Sequence, residues 1–294
     1  MNLTGGADEF SLLPDNASEA GLPWDGPPVV ARVETDTDAG TVSSIVWGGG
    51  APGIVLLHGG AQNAHTWDTT ALALGEPLVA IDLPGHGHSS WRDDGRYGPE
   101  MNAATLASVI EQRAATPVVL VGMSLGGLTA IALAGARPDL VAKLVVVDVT
   151  PGVDREKAAP IAAFVSGPES FATFDELLER TIQFNPTRSE SSLRRGLIHN
   201  TRQREDGSWV WRYDRLREVE GFDFPPLWES VAALQMPVTL LRGSLSGVVS
   251  DEDVALFRER CPQTDYVLVE GAGHSIQGDK PVELAALLRG VLDT

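Results

Sequence analysis

The sequence predicts an α/β protein built on a mostly parallel sheet with a helical insertion. Three observations carry this. Short apolar runs rich in β-branched residues alternate with helix-like stretches from about residue 29 onward. The alternation stops at Pro151 and resumes near Val238. At 294 residues the chain is long for one small domain and short for two full ones, which suits one domain carrying an insertion.

The elements follow in order. Residues 1–28 are mixed and acidic, with Gly21, Pro23, Gly26, Pro27 and Pro28 near their end. They read as an arm or short helix ahead of the fold. Val29–Val33, Thr41–Trp47, Gly53–Leu57 and Leu78–Asp82 are short and largely apolar, the pattern of strands buried on both faces. Asn102–Ala114 then reads as a helix, Val118–Val121 as a strand, Leu125–Ala136 as a helix and Leu144–Val147 as a strand. Such alternation means βαβ units. Residues 151–225 lack buried strand runs and read as helices, chiefly Phe171–Gln183 and Glu190–Asn200. Trp209, Trp211 and Tyr213 alternate there as on a strand or extended lip. Strand Val238–Leu241, helix Asp251–Arg260, strand Tyr266–Val269 and helix Pro281–Leu292 complete the pattern. The expected organisation is a core of residues 29–150 and 226–294, with a helical cap at 151–225.

Charge narrows the function. The formal net charge is −18, which argues against a nucleic-acid binder, since that needs a basic surface. The single cysteine, Cys261, cannot form an intrachain disulfide or a Cys-based metal cluster. The first ten residues carry no positive n-region or apolar h-region, so a cytoplasmic location is expected. The most apolar run, Val118–Ala136, is interrupted by Gly122, Ser124, Gly126, Gly127 and Gly135. It reads as strand-turn-helix, and no transmembrane segment is expected. Oligomeric state is not legible.

Gly122-Met123-Ser124-Leu125-Gly126 is a G-x-S-x-G sequence between a strand and an apolar helix. That context marks a nucleophile elbow, with Ser124 held in a strained turn between two glycines. A serine hydroxyl needs a base. His274 follows the last strand in Gly271-Ala272-Gly273-His274-Ser275, the late position this order requires. His58, His65, His86, His88 and His199 are weaker candidates. None forms a metal signature, so neither metal nor cofactor is expected. The acid must orient the imidazole. Asp148 ends an apolar strand, where a carboxylate is expensive without a partner, and is preferred. Asp251 is the alternative, although it opens a helix behind the N-cap candidate Ser250, where acids are favourable in their own right. Backbone donors must face the developing oxyanion. Leu125 supplies one N–H, and Gly60 in His58-Gly59-Gly60 the second, with Gly59 or Ala61 adjacent.

On these residues the chain resembles the α/β-hydrolase superfamily across about residues 41–292. Asp82–Ser89 (DLPGHGHS) looks like the family's loop after its fourth sheet strand. The match is closer to mycobacterial-type ester hydrolases. It is carried by His58–Trp67 (HGGAQNAHTW), Val121–Ile131 (VGMSLGGLTAI), Val147–Pro151 (VDVTP), Trp209–Asp214 (WVWRYD) and Gly273–Gln277 (GHSIQ). The resemblance implies the α/β-hydrolase fold and a serine esterase with a Ser124-Asp148-His274 triad under a cap. It implies a small-molecule ester as substrate. Many relatives place the acid after the strand matching Val238–Leu241, and there this sequence has Ser246, which cannot act as one. Haloalkane dehalogenases and epoxide hydrolases attack with Asp and are excluded by Ser124. Lactonases, thioesterases, cofactor-free haloperoxidases, C–C bond hydrolases and non-catalytic ligand-binding proteins of this fold keep a serine and are not.

The cap carries the remaining signals. Residues 188–217 hold Arg188, Arg194, Arg195, Arg202, Arg204, Arg212, Arg215 and Arg217 against Glu190, Glu205, Asp206 and Asp214. Pairing with carboxylates is the first expectation; steering of an anionic ester is the second. Trp209, Trp211 and Tyr213 are candidates for a substrate pocket, against the alternative that they pack the cap onto the body.

Overall fold

The computed structural model describes residues 8–153, 156–215 and 225–294. Parts of the expected arm and cap, and Arg217, lie outside the described residues. Eleven strands are described: β1 (Val30–Thr37), β2 (Gly40–Trp47), β3 (Ile54–Leu57), β4 (Leu78–Ile81), β5 (Val118–Met123), β6 (Val141–Val147), β7 (Ser170–Phe171), β8 (Thr201–Gln203), β9 (Trp209–Trp211), β10 (Val238–Gly243) and β11 (Thr264–Val269). The helices are α1 (Leu13–Glu19), α2 (Asp68–Leu74), α3 (Pro99–Arg113), α4 (Leu125–Ala136), α5 (Ala159–Val165), α6 (Phe174–Phe184), α7 (Glu190–Asn200), α8 (Pro225–Ala233), α9 (Asp251–Arg260), α10 (Ile276–Asp279) and α11 (Pro281–Asp293).

Eight strands form one sheet in the order β1-β2-β4-β3-β5-β6-β10-β11. β2 runs antiparallel to β1 and β4, and the other pairings are parallel. This is the mostly parallel sheet the sequence predicts. Alternate residues enter opposite layers of core. Val118 and Leu120 of β5 join the cluster that includes Leu128 and Ile131 of α4, whereas Val119, Val121 and Met123 join the cluster that includes Trp67 and Leu284. Both faces are therefore covered, which is why these strands read as continuous apolar runs.

Parallel register brings the carboxyl ends of the strands to one edge. Met123 pairs with Val147, Val147 with Leu241, and Gly243 with Val269. The residues that follow β5, β6, β10 and β11 thus leave the sheet side by side, at the edge where open α/β sheets bind ligands.

Between β6 and β10 lie α5, α6, α7 and a second sheet of order β7-β9-β8. Its three strands are two or three residues long; β9 falls on the alternating Trp209 and Trp211, whereas β7 and β8 are too short to show a period and lie where the sequence reads helices or no strand. Phe171 belongs to β7 rather than to the expected helix, which starts at Phe174 behind an N-cap Thr173 whose side chain accepts from Glu176 N. The region has its own apolar cluster, including Leu177, Leu193, Trp211 and Tyr213. The described part of the N-terminal arm is packed: Leu13 of α1 is buried in the core cluster that holds Trp67. Among the described residues no helix is long and apolar enough to cross a membrane.

Candidate active site

Ser124 sits between β5 and α4 at φ 51°, ψ −120°, a region that costs a non-glycine residue conformational energy. Its neighbours explain how the turn closes. A Cβ at Gly122 would lie 2.2 Å from Gly126 O, and one at Gly126 would lie 2.4 Å from Leu57 O. Only glycine allows these approaches. The turn is anchored by Ser124 N donating to Val147 O at 3.1 Å.

Asp148 leaves β6 at φ 51° and is fully buried. Its carboxylate is nonetheless well supplied with donors. Oδ1 accepts from Gly243 N at 2.9 Å, and Oδ2 accepts from His274 Nδ1 at 2.7 Å and from the Ser246 hydroxyl. Three donors offset the desolvation a buried carboxylate otherwise suffers. Because Nδ1 donates to Asp148, the Nε2 of His274 is left to face the cavity. Ser246 thus contacts the carboxylate from the loop after β10. The alternative acid, Asp251, is elsewhere: its exposed side chain pairs with Arg242 at the start of α9.

The loop after β3 is held from several sides. His58 is buried; its Nε2 accepts from Leu83 N at 2.9 Å, so its Nδ1 donates to Gly59 O at 2.7 Å. Burial first, then the nearby His86, pushes the His58 pKa down to about 3, and it stays neutral as a brace. Gln62 Oε1 accepts from Gly59 N at 3.2 Å and from Gln277 Nε2 at 3.2 Å, while Gln62 Nε2 donates to Ser275 Oγ at 3.3 Å. With Gly59 N engaged, Gly60 is the next amide of the loop. Leu125, the first residue of α4, contributes one of the helix N–H groups that have no intrahelical acceptor. Gln62 and Gln277 are residues that sequence reading did not single out. Both stand in stretches quoted above, but no chemical pattern of their own marks them.

Ser124, Gly59, Gly60, His274, Gln62 and Ser246 line a cavity of about 1000 Å³ whose opposite wall includes Phe164, Phe184, Leu197 and Trp211. Of the three aromatic residues proposed for a pocket, Trp211 lines it. Trp209 packs on Phe174 with ring centroids 5.1 Å apart, and Tyr213 stacks behind Trp211 at 5.3 Å. The cap core claims those two.

A possible metal cluster lies at the cavity rim. His65, Asp68 and His199 place ligand atoms within 4.8 Å of one another. The sequence hides the group because His199 is far from the other two. Its geometry does not suit an ion. The two imidazoles stack at 3.6 Å with 13° between planes, so an ion about 2 Å from each nitrogen cannot lie in both ring planes. The cluster is an ionic seam instead. His65 Nδ1 is 2.9 Å from Asp68; its Nε2 is 3.5 Å from Glu9 and 3.2 Å from Arg32 Nη2, a donor that opposes a proton on that nitrogen. Burial lowers the His65 pKa, but Asp68 and Glu9 outweigh it and the opposing Arg32 and lift it to about 9. Burial would raise Glu9, and hydrogen bonds from His65 and Arg32 bring it down to about 2.

With this geometry in place, comparison with known proteins is decisive on family. Residues 54–287 match the Alpha/beta hydrolase family. The chain belongs to it. This α/β hydrolase is 50% identical to the esterase Rv0045c of Mycobacterium tuberculosis (strain ATCC 25618 / H37Rv), over 98% of this chain and 97% of that one. A solved structure of the M. tuberculosis esterase superposes with a TM-score of 0.87 at 47% identity, covering 99% of this hydrolase and 100% of that chain. The sn-1-specific diacylglycerol lipase ABHD11 of Xenopus laevis is 31% identical over 78% of this chain and 76% of its own.

Proposed function

We propose that this α/β hydrolase cleaves small-molecule carboxylic esters through an acyl-enzyme on Ser124, with His274 as general base and Asp148 as the acid that orients it. The observation that carries the reading is the hydrogen bond from His274 Nδ1 to the buried Asp148, at the sheet edge that also presents Ser124. Half identity to an esterase across nearly the whole chain supports the same chemistry.

His274 takes the Ser124 proton at Nε2 as Oγ attacks the ester carbonyl, and Asp148 stabilises the imidazolium that results. The Gly60 and Leu125 N–H groups receive the oxyanion. His274 returns the proton to the leaving alcohol, then activates a water that releases the acid and frees Ser124. Every step draws on groups of this chain. Covalent labelling of Ser124 by a fluorophosphonate, together with turnover of a chromogenic short-chain ester, tests the assignment. A protein that only binds ligands on this fold gives no turnover. Lactones and thioesters call on the same groups, and a substrate panel ranks them against esters.

A further inference from the structure

The described arginines of the 188–217 strip are held in different ways. Arg194 pairs with Glu190 and Asp175, Arg195 with Glu19, and Arg215 with Glu169. Arg212 donates to Thr201 O, and Arg202 and Arg204 are exposed. Arg188 differs from all of these. It lines the same cavity as Ser124 and His274. Among the described residues no carboxylate oxygen lies within 4.0 Å of its guanidinium. Its side chain makes one hydrogen bond, from Nη2 to Ser192 Oγ at 2.7 Å, while Nε is buried without an acceptor.

The neighbours do not neutralise it at contact range. Arg195 also lines the cavity but is engaged by Glu19 and Asn16. Asp279, the acid nearest in influence, accepts from Gly273 N at 2.7 Å and from Thr187 Oγ1 at 3.0 Å. The guanidinium lies over Gly278, where a Cβ would come within 2.9 Å of its Cζ and Nε. The close approach of the Gly278 backbone is what buries Nε on that side. Desolvation holds the Arg188 pKa below its ordinary value despite the attraction of Asp279, yet an arginine remains charged at neutral pH. With Nε closed off, the cavity meets the Nη1–Nη2 end of a planar cation, where Nη1 makes no hydrogen bond among the described residues, and a carboxylate matches that fork with two parallel hydrogen bonds.

We infer that Arg188 is a carboxylate-binding residue of the cavity, and that the preferred substrates are esters bearing a second, ionised carboxylate. This rests on the esterase reading above and adds the substrate class. It also divides the arginine-rich strip: Arg194, Arg195, Arg212 and Arg215 are engaged within the protein, Arg202 and Arg204 are exposed, and Arg188 lines the cavity without a carboxylate partner among the described residues.

The test compares kcat/KM for 4-nitrophenyl hemiglutarate with that for 4-nitrophenyl valerate at low ionic strength. Butyryl glycolate against ethyl butyrate moves the charge to the alcohol side. In at least one pair the wild type favours the acidic ester tenfold or more. Arg188→Gln lowers that ratio at least tenfold, and Arg188→Lys, which keeps the charge but not the fork, retains part of it. Calorimetry with glutarate reads the same site without turnover: binding is seen with the wild type and weakens at least tenfold in Arg188→Gln. Circular dichroism verifies that the variants fold. A wild type that turns over neutral esters but has no preference in either pair, or an Arg188→Gln protein that keeps the wild-type ratio, overturns the inference. Absence of turnover on all four esters counts against the esterase reading, and the calorimetry then decides Arg188 alone.

Discussion

The cavity has two walls made in different ways. Its floor is the sheet edge, where Ser124, Asp148 and His274 follow three strand ends fixed in register. There the Asp148 carboxylate accepts from a backbone amide, a hydroxyl and an imidazole. Its roof comes from the segment between β6 and β10, which supplies aromatic side chains and an arginine without a carboxylate partner. The floor places chemistry by backbone geometry and gives its buried carboxylate three donors. The roof places recognition by side chains, among them Trp211 and Arg188, which line the cavity. Damage to the floor should slow every ester, whereas changes in the roof should alter which ester is preferred.

The largest expected effect is on the floor. Ser124→Ala should lower kcat on a chromogenic ester by a factor on the order of 10⁴ to 10⁶, as loss of a triad nucleophile does. Ester turnover near the wild-type rate in that variant would falsify the assignment. Asp148→Asn should cost about 10⁴ in kcat, because an amide in that place favours the wrong imidazole tautomer. Asp251→Asn should stay within about twofold, since Asp251 is an exposed partner of Arg242 whose pairing is worth little. The reverse ranking of the two aspartates would move the acid from β6 to α9.

The same contrast explains how much was legible. The elbow could be read because its cause is local: Gly122 and Gly126 exist to permit approaches of 2.2 and 2.4 Å. The parallel sheet was legible because strands buried on both faces lose their polar alternation. Asp148 was legible as a lone charge ending an apolar run. The Gln62–Gln277 link was not, since it joins residues more than two hundred positions apart through side-chain amides. Nor was the difference between Arg188 and Arg195. Both are arginines on one basic strip, and only the fold sets one of them against Glu19 of α1. Of the small cap sheet only β9 showed, in the alternation of Trp209 and Trp211; β7 and β8, two and three residues long, carry no period.

On the roof, Trp211→Phe should raise KM for a medium-chain ester several-fold while kcat stays within about twofold. Trp211 lines the cavity and meets Phe164 edge-on at 5.5 Å. Phenylalanine keeps part of that packing and gives up contact area, a loss of roughly 1 kcal/mol. An equal fall in kcat and kcat/KM would mean that the aromatic wall acts in the transition state and that roof and floor are not separable.

The smallest effect lies where the two walls meet. His65, on the core turn Ala64–Trp67, stacks on His199 of α7. The folded protein holds the His65 proton with a pKa of about 9, against an ordinary 6.5. The contribution to stability is therefore complete below pH 6.5 and is lost as pH rises through 9, because the unfolded chain gives up that proton first. Its full size is on the order of 3 kcal/mol, or several degrees in Tm. Thermal melts from pH 6 to pH 10 should show the wild type losing more than His65→Gln, with the two curves converging above pH 9. Equal slopes would mean that His65 does not hold a proton between Asp68 and Glu9. The arm would then be held beside this turn by Arg32–Glu9 and packing, while the roof keeps its own links to the body through Asn63–Asn200, Tyr97–Asp214 and Arg195–Glu19.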